Sequence, residues 1–457
     1  MSGDVTEVLA GFAASLQYDD LPERVRDHCK NVLLDTLACA VAGHRGEETE
    51  QLAALASGLA QSNESSVIGG DRLSLAGATL LNGYLITAVT MCDVHRPTQT
   101  HITPGVIPPA LLIAERDGLS GRDLLVAIAA GSEVMTRIGI SLDPPVFRAK
   151  GWHGPGVLGP FGAAAAVGRL LRFDNETMAK AFGLAGSQAA GTFAAWGTPT
   201  VKFHQCRGGL SGLLAALLAQ QGFVATREFL TAADGGLYRS YADGGRPELA
   251  TAELGRRFEL EQIALRLWPS ASLIQGLNTA LFDLIERHAP APERVRKLSV
   301  ALSKAAFDMH GALAHYQGKF EALISAHYTA AAILHDRALT LAQFELARYN
   351  DPVLRRAAAE QVEIRSDPAL SGVQAEVAIE ATDGSTISAR CVHPRGSFEN
   401  PLSRTEIEEK LRTYAKGRLA DSAVEEVIGM IATLEDLSSV RLLMDLLRAP
   451  PRRVRAA

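Results

Sequence analysis

From Val5 to about Leu260 the chain keeps a helical spacing of apolar residues almost without interruption, and this feature restricts its fold most. In the first long example, Leu21-Pro22-Glu23 opens a segment with apolar residues at i, i+3 and i+4, and Gly43 closes it. Two later segments, Phe161–Leu171 and Gly212–Gln221, are so rich in Ala and Leu that we expect helices buried on most faces. The sequence therefore predicts a mainly α protein.

A different pattern interrupts the helices after residue 267. Val295–Leu302, Ala375–Ile379 and Thr386–Cys391 alternate between apolar and polar residues, as strands do. Asp383-Gly384 stands between the last two segments and is a strong signal for a hairpin turn. These residues predict a small sheet.

Helical patterns continue beside that sheet, at Ser325–Leu334 and Leu341–Ala347, and the chain becomes helical again after Asn400-Pro401. We therefore expect an all-helical domain formed by both ends of the chain and an α+β lid domain inserted into it. The predicted boundaries are 1–266 for the first helical part, 267–395 for the lid and 396–457 for the C-terminal helical part.

Composition restricts the partners and the compartment. A formal charge of −6 argues against nucleic acid, which calls for a basic face. The five cysteines are scattered and show no CxxC spacing, so a reducing compartment is expected. No basic segment followed by an apolar core opens the chain, and the apolar run Leu75–Met91 is interrupted by Gly77, Asn82 and Gly83. We expect a cytoplasmic protein without a membrane span.

The first polar cluster follows that apolar run and contains Asp93, His95, Arg96 and His101. An acid, two imidazoles and a guanidinium within nine residues can be aimed into a cleft by a loop at a helix end. A solvated polar loop would have the same composition. No HExxH-like spacing or third ligand accompanies His95 and His101, so no metal site is expected.

Two further clusters stand at breaks before Ala-rich helices. His153 lies in Gly151–Gly156, where glycines before a helix N-terminus favour an anion, although a lone histidine is more often structural. Lys202, His204 and Arg207 precede the helix at Leu213 and supply donors suited to carboxylates or phosphates. Of these residues His204 and Arg207 are candidates for substrate binding, as are His95 and Arg96 of the first cluster.

Together the clusters combine bases that titrate near neutrality with fixed cations. Such a site suits removal of a proton from carbon next to a carboxylate, because cations hold the carboxylate and stabilise enediolate-like charge. The chain has no GxxxxGK[ST], GxGxxG or GxSxG motif, which removes the usual nucleotide-binding and hydrolase interpretations. No cofactor is expected.

At these segments the sequence resembles the MmgE/PrpD family, which includes 2-methylcitrate dehydratase, cis-aconitate decarboxylase and iminodisuccinate epimerase. The resemblance covers most of the chain, and its motifs occur in the family order. The matching segments are Gly77–Gly83, Gly151–Ala166, Lys202–Ala219 and Phe398–Leu402.

The resemblance implies a helical domain capped by an α+β lid, a homodimer, and a small di- or tricarboxylate bound between domain and lid. Matching positions are candidates for catalysis: Asp93, His101, His153, Lys202 and Tyr328. In this hypothesis His101 or His153 is the base, Asp93 orients it, and Tyr328 donates a proton on the opposite face.

The sequence also departs from the family pattern. Thr90-Met91-Cys92-Asp93 keeps only the last acid of the family's acidic run. Arg266-Leu267-Trp268-Pro269 replaces K-x-[FY]-P, and the nearby lid histidine is missing, with Gln275 where another often falls. Arg266 can still hold a carboxylate, as Lys202 does, but it cannot act as a base.

These departures leave the reaction open. They place the chain nearest to the epimerase-like branch, so epimerisation or dehydration is the first hypothesis. A 2-methylcitrate dehydratase-type hydro-lyase or a decarboxylase proper is the alternative. A catalytically silent homologue that binds an anion is the third, because two groups that usually carry chemistry are absent.

Overall fold

The computed structural model describes residues 3–448. They form two compact units. The helical unit runs to Ile263 and resumes at Ser403, and the insert comprises Ala264–Leu402. The predicted fold class, mainly α with an inserted α+β domain, is confirmed. The sequence placed the insert at 267–395.

The first part of the helical unit contains long α-helices and a few two-residue strands. The helices are α1 (Val5–Ser15), α2 (Glu23–Gly43), α3 (Thr49–Gly58), α4 (Leu75–Thr87), α5 (Thr103–Asp117), α6 (Gly121–Ser141), α7 (Pro144–Ala149), α8 (Gly154–Leu170), α9 (Asn175–Gly186), α10 (Thr200–Gln220), α11 (Leu237–Ala242) and α12 (Glu248–Thr251). The strands are β1 (Ser65–Ser66), β2 (Arg72–Leu73), β3 (Val94–His95) and β4 (Ile263–Ala264), of which β1 and β2 pair antiparallel.

Helix starts follow the local signals of the sequence. Pro22 precedes α2, as expected, and Ser120 begins α6 with a capping box in which its hydroxyl and the Asp123 carboxylate each accept from the other's backbone N–H. Both helices are confirmed. Among residues 3–448, α6 alone is long and apolar enough to span a membrane, and most of it is buried inside the protein.

Glycines bring α4, α5, α8 and α10 into close contact. A Cβ at Gly83 of α4 would lie 2.8 Å from the Pro104 carbonyl oxygen, and one at Gly159 of α8 would lie 3.3 Å from the Gly208 Cα. A Cβ at Gly209 would lie 2.8 Å from the Gly105 carbonyl oxygen of α5. Because backbones approach this closely only without side chains, α5, α8 and α10 pack with their first halves side by side.

Two helices begin earlier than the sequence pattern indicates. Helix α8 starts at Gly154 and α10 at Thr200, rather than near Phe161 and Gly212. The glycines that read as a loop are helical because packing against neighbouring helices outweighs their low helix propensity. The cations of the third cluster therefore lie within the first turns of α10.

The insert contains helices and one four-stranded sheet. Its helices are α13 (Gln275–His288), α14 (Lys304–His310), α15 (Lys319–Ile324), α16 (Ala326–Asp336), α17 (Leu346–Tyr349) and α18 (Pro352–Arg356), and a π-helical turn follows at Ala357–Gln361. Its strands are β5 (Val295–Leu302), β6 (Val362–Ser366), β7 (Ala375–Ala381) and β8 (Thr386–Cys391).

The sheet order is β6-β5-β7-β8, with β5 parallel to β6 and antiparallel to β7. The predicted hairpin is confirmed: β7 and β8 pair antiparallel, and Gly384 takes the positive φ of 84° that the turn requires. Strand β6 was not predicted, because an edge strand with Glu363 and Arg365 has too few apolar residues to show a clear alternation.

The helical unit resumes with α19 (Arg404–Ala415), α20 (Asp421–Ala432) and α21 (Val440–Leu446). Helix α19 begins with a capping box of Ser403 and Glu406, and it packs against α2. The predicted return to helical structure is confirmed.

Candidate active site

The polar turn before α5 is organised around Asp93, which is buried. Its carboxylate accepts hydrogen bonds from the backbone N–H of Ile102 at 2.9 Å and of Thr103 at 3.1 Å, and from the Thr103 hydroxyl at 2.5 Å. Burial raises the pKa of Asp93, against the opposing effects of His101 and of these hydrogen bonds. The carboxylate thus anchors the start of α5, and its oxygens are engaged there.

His101 is oriented by the main chain of Asp93 and not by its carboxylate. The imidazole Nδ1 lies 2.5 Å from the Asp93 carbonyl oxygen, and the Cys92 Sγ lies 3.7 Å from the same nitrogen. A carbonyl oxygen only accepts, so Nδ1 carries the proton and Nε2 carries the lone pair. Asp93 contacts this imidazole through its backbone carbonyl, and the role of His101 as a base stays a prediction.

His153 is the N-cap residue of α8, and its Nδ1 lies 3.1 Å from the Nδ1 of His204. Burial lowers the pKa of His153 to about 3, with further contributions from His204, His101 and Arg148. Burial, followed by the charge of Arg207, also lowers the pKa of His204. The structure therefore brings His101, His153 and His204 together, the last two as uncharged imidazoles at neutral pH.

A loop at residues 189–193 is hydrogen-bonded to the start of α8, including the His153 backbone. The Gly191 carbonyl accepts from the His153 backbone N–H at 3.0 Å, and the Ala190 N–H donates to the Gly156 carbonyl at 3.3 Å. Arg207 donates to the carbonyls of Ala190 at 2.6 Å and Gly156 at 3.1 Å.

A third carbonyl, that of Gln188, also accepts from Arg207, at 3.0 Å. Arg207 was predicted to bind substrate. Its guanidinium instead clamps backbone carbonyls, which gives it a structural role.

Lys202 lies on the first turn of α10 and points towards α4. Its Nζ donates to the Ala88 carbonyl at 2.6 Å and lies 3.9 Å from a carboxylate oxygen of Glu48, which accepts from the Tyr84 hydroxyl at 2.8 Å. The lysine is buried. These contacts connect Lys202 to the end of α4 and to the segment before α3.

The other two residues of the polar turn are placed differently. His95 is fully buried, its Nδ1 lies 2.9 Å from the Thr98 hydroxyl, and burial lowers its pKa to about 3. Arg96 is half-buried, and its backbone N–H donates to the Gln262 carbonyl at 3.3 Å. Both were predicted to bind substrate, and the burial of His95 is that of a structural histidine.

Two predicted site residues belong to the insert. Arg266 is buried and donates to the Ser270 carbonyl at 2.9 Å. Tyr328 is also buried: its hydroxyl donates to the Gln343 carbonyl, and its ring packs edge-on against Tyr316 at 4.9 Å. Burial raises the pKa of Tyr328. These contacts are those of a core tyrosine, in contrast to the expected proton donor.

Sequence reasoning missed two charged residues near the cluster. Arg148 lies in α7 with its guanidinium 3.5 Å from the centroid of the Phe193 ring, and its charge lowers the pKa of His153. Glu48 faces Lys202 from the segment before α3. Arg148 could have been found from its position five residues before His153. Glu48 could not, because its contact with Lys202 joins residues that are far apart in the sequence.

The arrangement has the chemistry of a proton-transfer site. The imidazoles of His153, at the N-terminus of α8, and of His101, just before α5, provide groups that exchange protons, and Arg148 provides nearby positive charge. Within residues 3–448, no group of three or more His, Cys, Asp or Glu is close enough to hold a metal ion.

Comparisons with known proteins agree with this organisation. Residues 7–250 match the model of the MmgE/PrpD N-terminal domain, and residues 268–436 match that of the C-terminal domain. The chain is 28% identical over 474 residues to a cis-aconitate decarboxylase-like protein of Aspergillus oryzae, with 97% of each chain covered.

Two cis-aconitate decarboxylases are similar to the same extent. The one from Aspergillus terreus is 27% identical over 474 residues, and the human one is 27% identical over 469 residues. Each alignment covers 98% of this chain and 96% of the relative.

Proposed function

The chain belongs to the MmgE/PrpD family, and on this premise we propose that it is a cofactor-free lyase acting on a small di- or tricarboxylic acid. The reaction we propose is decarboxylation with proton transfer to the carbon left behind. Relatives named as cis-aconitate decarboxylases align over nearly the whole chain, and they favour this alternative over the epimerase hypothesis of the sequence. Cis-aconitate is therefore the first acid to test.

The observation that carries the proposal is the 2.5 Å contact between the His101 Nδ1 and the Asp93 carbonyl oxygen, from which we infer the tautomer of His101. With its Nδ1 proton held by the Asp93 carbonyl, its Nε2 is the atom that takes up and delivers a proton. His153 and His204 lie beside it as neutral imidazoles that hydrogen-bond one another. A substrate with several carboxylates raises the pKa of a neighbouring imidazole, because opposite charge stabilises the imidazolium.

The step then balances without a further reactant. The bond between carbon and the departing carboxylate breaks, CO2 leaves, and the electron pair remains on carbon, delocalised into a remaining carboxylate. The His101 imidazolium donates its Nε2 proton to that carbon and becomes neutral again. Lys202, Arg148 and the N-terminus of α8 stabilise the delocalised charge. A hydro-lyase would use the same imidazole in the opposite sense, as the base.

The sequence prediction of a cytoplasmic homodimer is retained as part of the proposal. The homodimer rests on the family resemblance, and the cytoplasmic location rests on the five scattered cysteines, which suit a reducing compartment. Light scattering coupled to size-exclusion chromatography is expected to give twice the chain mass of 48.6 kDa. A mass of one chain at micromolar concentration would contradict the dimer.

CO2 release from cis-aconitate tests the proposal, with citrate-like, aspartate-derived and iminodisuccinate acids alongside. We expect CO2 release with a tricarboxylate and a loss of about 100-fold or more in kcat for His101→Gln. His44→Gln is the matched control, because His44 is also half-buried and bonded to a carbonyl, that of Ile68 at 2.8 Å.

The possible results separate the hypotheses. Equal loss in both variants would assign the effect to folding, and binding of every acid without turnover would support the catalytically silent homologue. Racemised or epimerised acid without CO2 would restore the epimerase hypothesis.

A further inference from the structure

We infer that the buried ion pair of Asp35 and Lys410 positions the turn at residues 90–93, which ends in the Asp93 carbonyl that accepts from His101. The inference deepens the proposed function and rests on it. Asp35 lies in α2 and Lys410 in α19, so the pair joins the first long helix to the C-terminal part of the helical unit. Neither residue belongs to the three polar clusters.

The pair is completely enclosed and meets one particular backbone group. The Lys410 Nζ lies 2.6 Å from an Asp35 carboxylate oxygen, and both side chains are 2% exposed. The same Nζ lies 3.4 Å from the Met91 carbonyl oxygen. The Cys39 thiol donates to that carbonyl as well, at 3.4 Å, and contacts the other Asp35 oxygen at 3.6 Å. A lysine and a thiol therefore converge on a single carbonyl.

That carbonyl belongs to a strained turn. Thr90, the preceding residue, has a φ of 55°, a conformation that a β-branched residue adopts only when its surroundings enforce it. Cys92 follows with its Sγ beside the His101 Nδ1, and Asp93 follows with the carbonyl that accepts from it. Fixing the Met91 carbonyl fixes the chain two residues before the carbonyl that orients His101.

The chemistry of the pair supports a positioning role over a purely stabilising one. Removing two charges from water opposes folding, and an apolar pair of similar volume would give equal or greater stability. What an apolar pair cannot supply is a charged donor to the Met91 carbonyl. At 3.4 Å the Lys410 contact is a long hydrogen bond, but its charge attracts the Met91 carbonyl where an apolar side chain would not.

The test uses the double variant Asp35→Asn/Lys410→Met, which leaves no unpaired buried charge. We expect a folded protein in which kcat falls about tenfold while KM stays within about twofold, because the turn orients the acid and does not hold the substrate. The control is Lys30→Met/Glu435→Gln. Lys30 also joins α2 to the C-terminal part, through Glu435 at 2.8 Å and the Ala432 carbonyl, and its partners lie outside the turn.

A second readout does not depend on turnover. Nitrogen-15 NMR of the imidazoles, assigned with His101→Gln, is expected to show the Nδ1–H tautomer of His101 in the native protein and in the control. The Asp35→Asn/Lys410→Met protein is expected to show a mixture of tautomers. If that variant does not fold, Cys39→Ala, which keeps the ion pair and removes the thiol donor to the Met91 carbonyl, is expected to give a smaller shift in the same direction.

A folded double variant with native kcat and an unchanged His101 signal would overturn the inference. An absence of turnover in the native protein with every acid would instead refute the proposed function. In that case the tautomer of His101 would still decide whether the pair positions the turn.

Discussion

Replacing Gly154 with alanine tests whether α8 and the polar turn must touch. Gly154 is the first residue of α8 and follows His153 directly. A Cβ added there would lie 2.3 Å from the Thr100 hydroxyl oxygen and 3.3 Å from the Thr100 Cβ. Thr100 is buried and immediately precedes His101, so the clash acts on the segment that carries the proposed acid.

The size of the effect follows from the distance. Ordinary contact begins at 3.4 Å, so Thr100 or the start of α8 has to move by about an ångström. Overpacking of this kind costs about 1–3 kcal/mol of the free energy of unfolding. A displacement of about 1 Å between catalytic groups lowers the rate by up to about 100-fold. We therefore expect kcat/KM to fall about 10- to 100-fold in a protein that remains folded.

The assay combines urea unfolding with kcat/KM for CO2 release. Gly429→Ala is the matched control: Gly429 lies inside α20 with no atom within 4 Å of an added Cβ. It is expected to raise the free energy of unfolding by about 0.5–1 kcal/mol and to leave kcat/KM unchanged. A Gly154→Ala protein with native stability and activity would refute the close approach of α8 to the turn.

Three further predictions concern pH, the loop clamp and the insert. Burial lowers the folded-state pKa of several histidines below 6.5, to about 3 for His95 and His153 and about 4 for His310. As the pH falls below 6.5, these histidines therefore take up protons in the unfolded state before they do so in the folded state. The urea midpoint is expected to be highest above pH 6.5 and to fall as the pH drops towards 4, and a midpoint that does not change with pH would contradict this. Arg207→Met should lower kcat/KM about tenfold and increase proteolysis at residues 189–193, because three carbonyls lose their donor. Unchanged resistance of this loop to proteolysis would contradict the prediction. Tyr328→Phe should cost about 1 kcal/mol by urea unfolding and leave kcat unchanged, whereas a large loss of kcat would restore its role as proton donor.

Long periodic segments were predictable because their signals are local. Helix α2 needed only its apolar spacing with Pro22 and Gly43 at its ends, and the β7–β8 hairpin needed only Asp383-Gly384. The start of α10 was not predictable. Gly208 and Gly209 indicate a loop in isolation, and they are helical because α8 and α5 pack against them.

The candidate site shows the same division. The order of the polar clusters indicated which residues meet, and His101, His153 and His204 do so. Their roles depend on long-range contacts. Asp93 uses its carboxylate on the start of α5, and Arg207 uses its guanidinium on a loop. A sequence shows that such groups are present but not which backbone atoms they will meet.

The most direct test of the central claim is the fate of a solvent deuteron. Turnover of cis-aconitate in D2O, followed by proton NMR, is expected to place one deuterium on a carbon of the delocalised carbanion that CO2 leaves behind. The rate of this incorporation is expected to fall about 100-fold in His101→Gln and to be unchanged in His44→Gln. Undiminished incorporation in His101→Gln would contradict the assignment of His101 as the residue that delivers the proton.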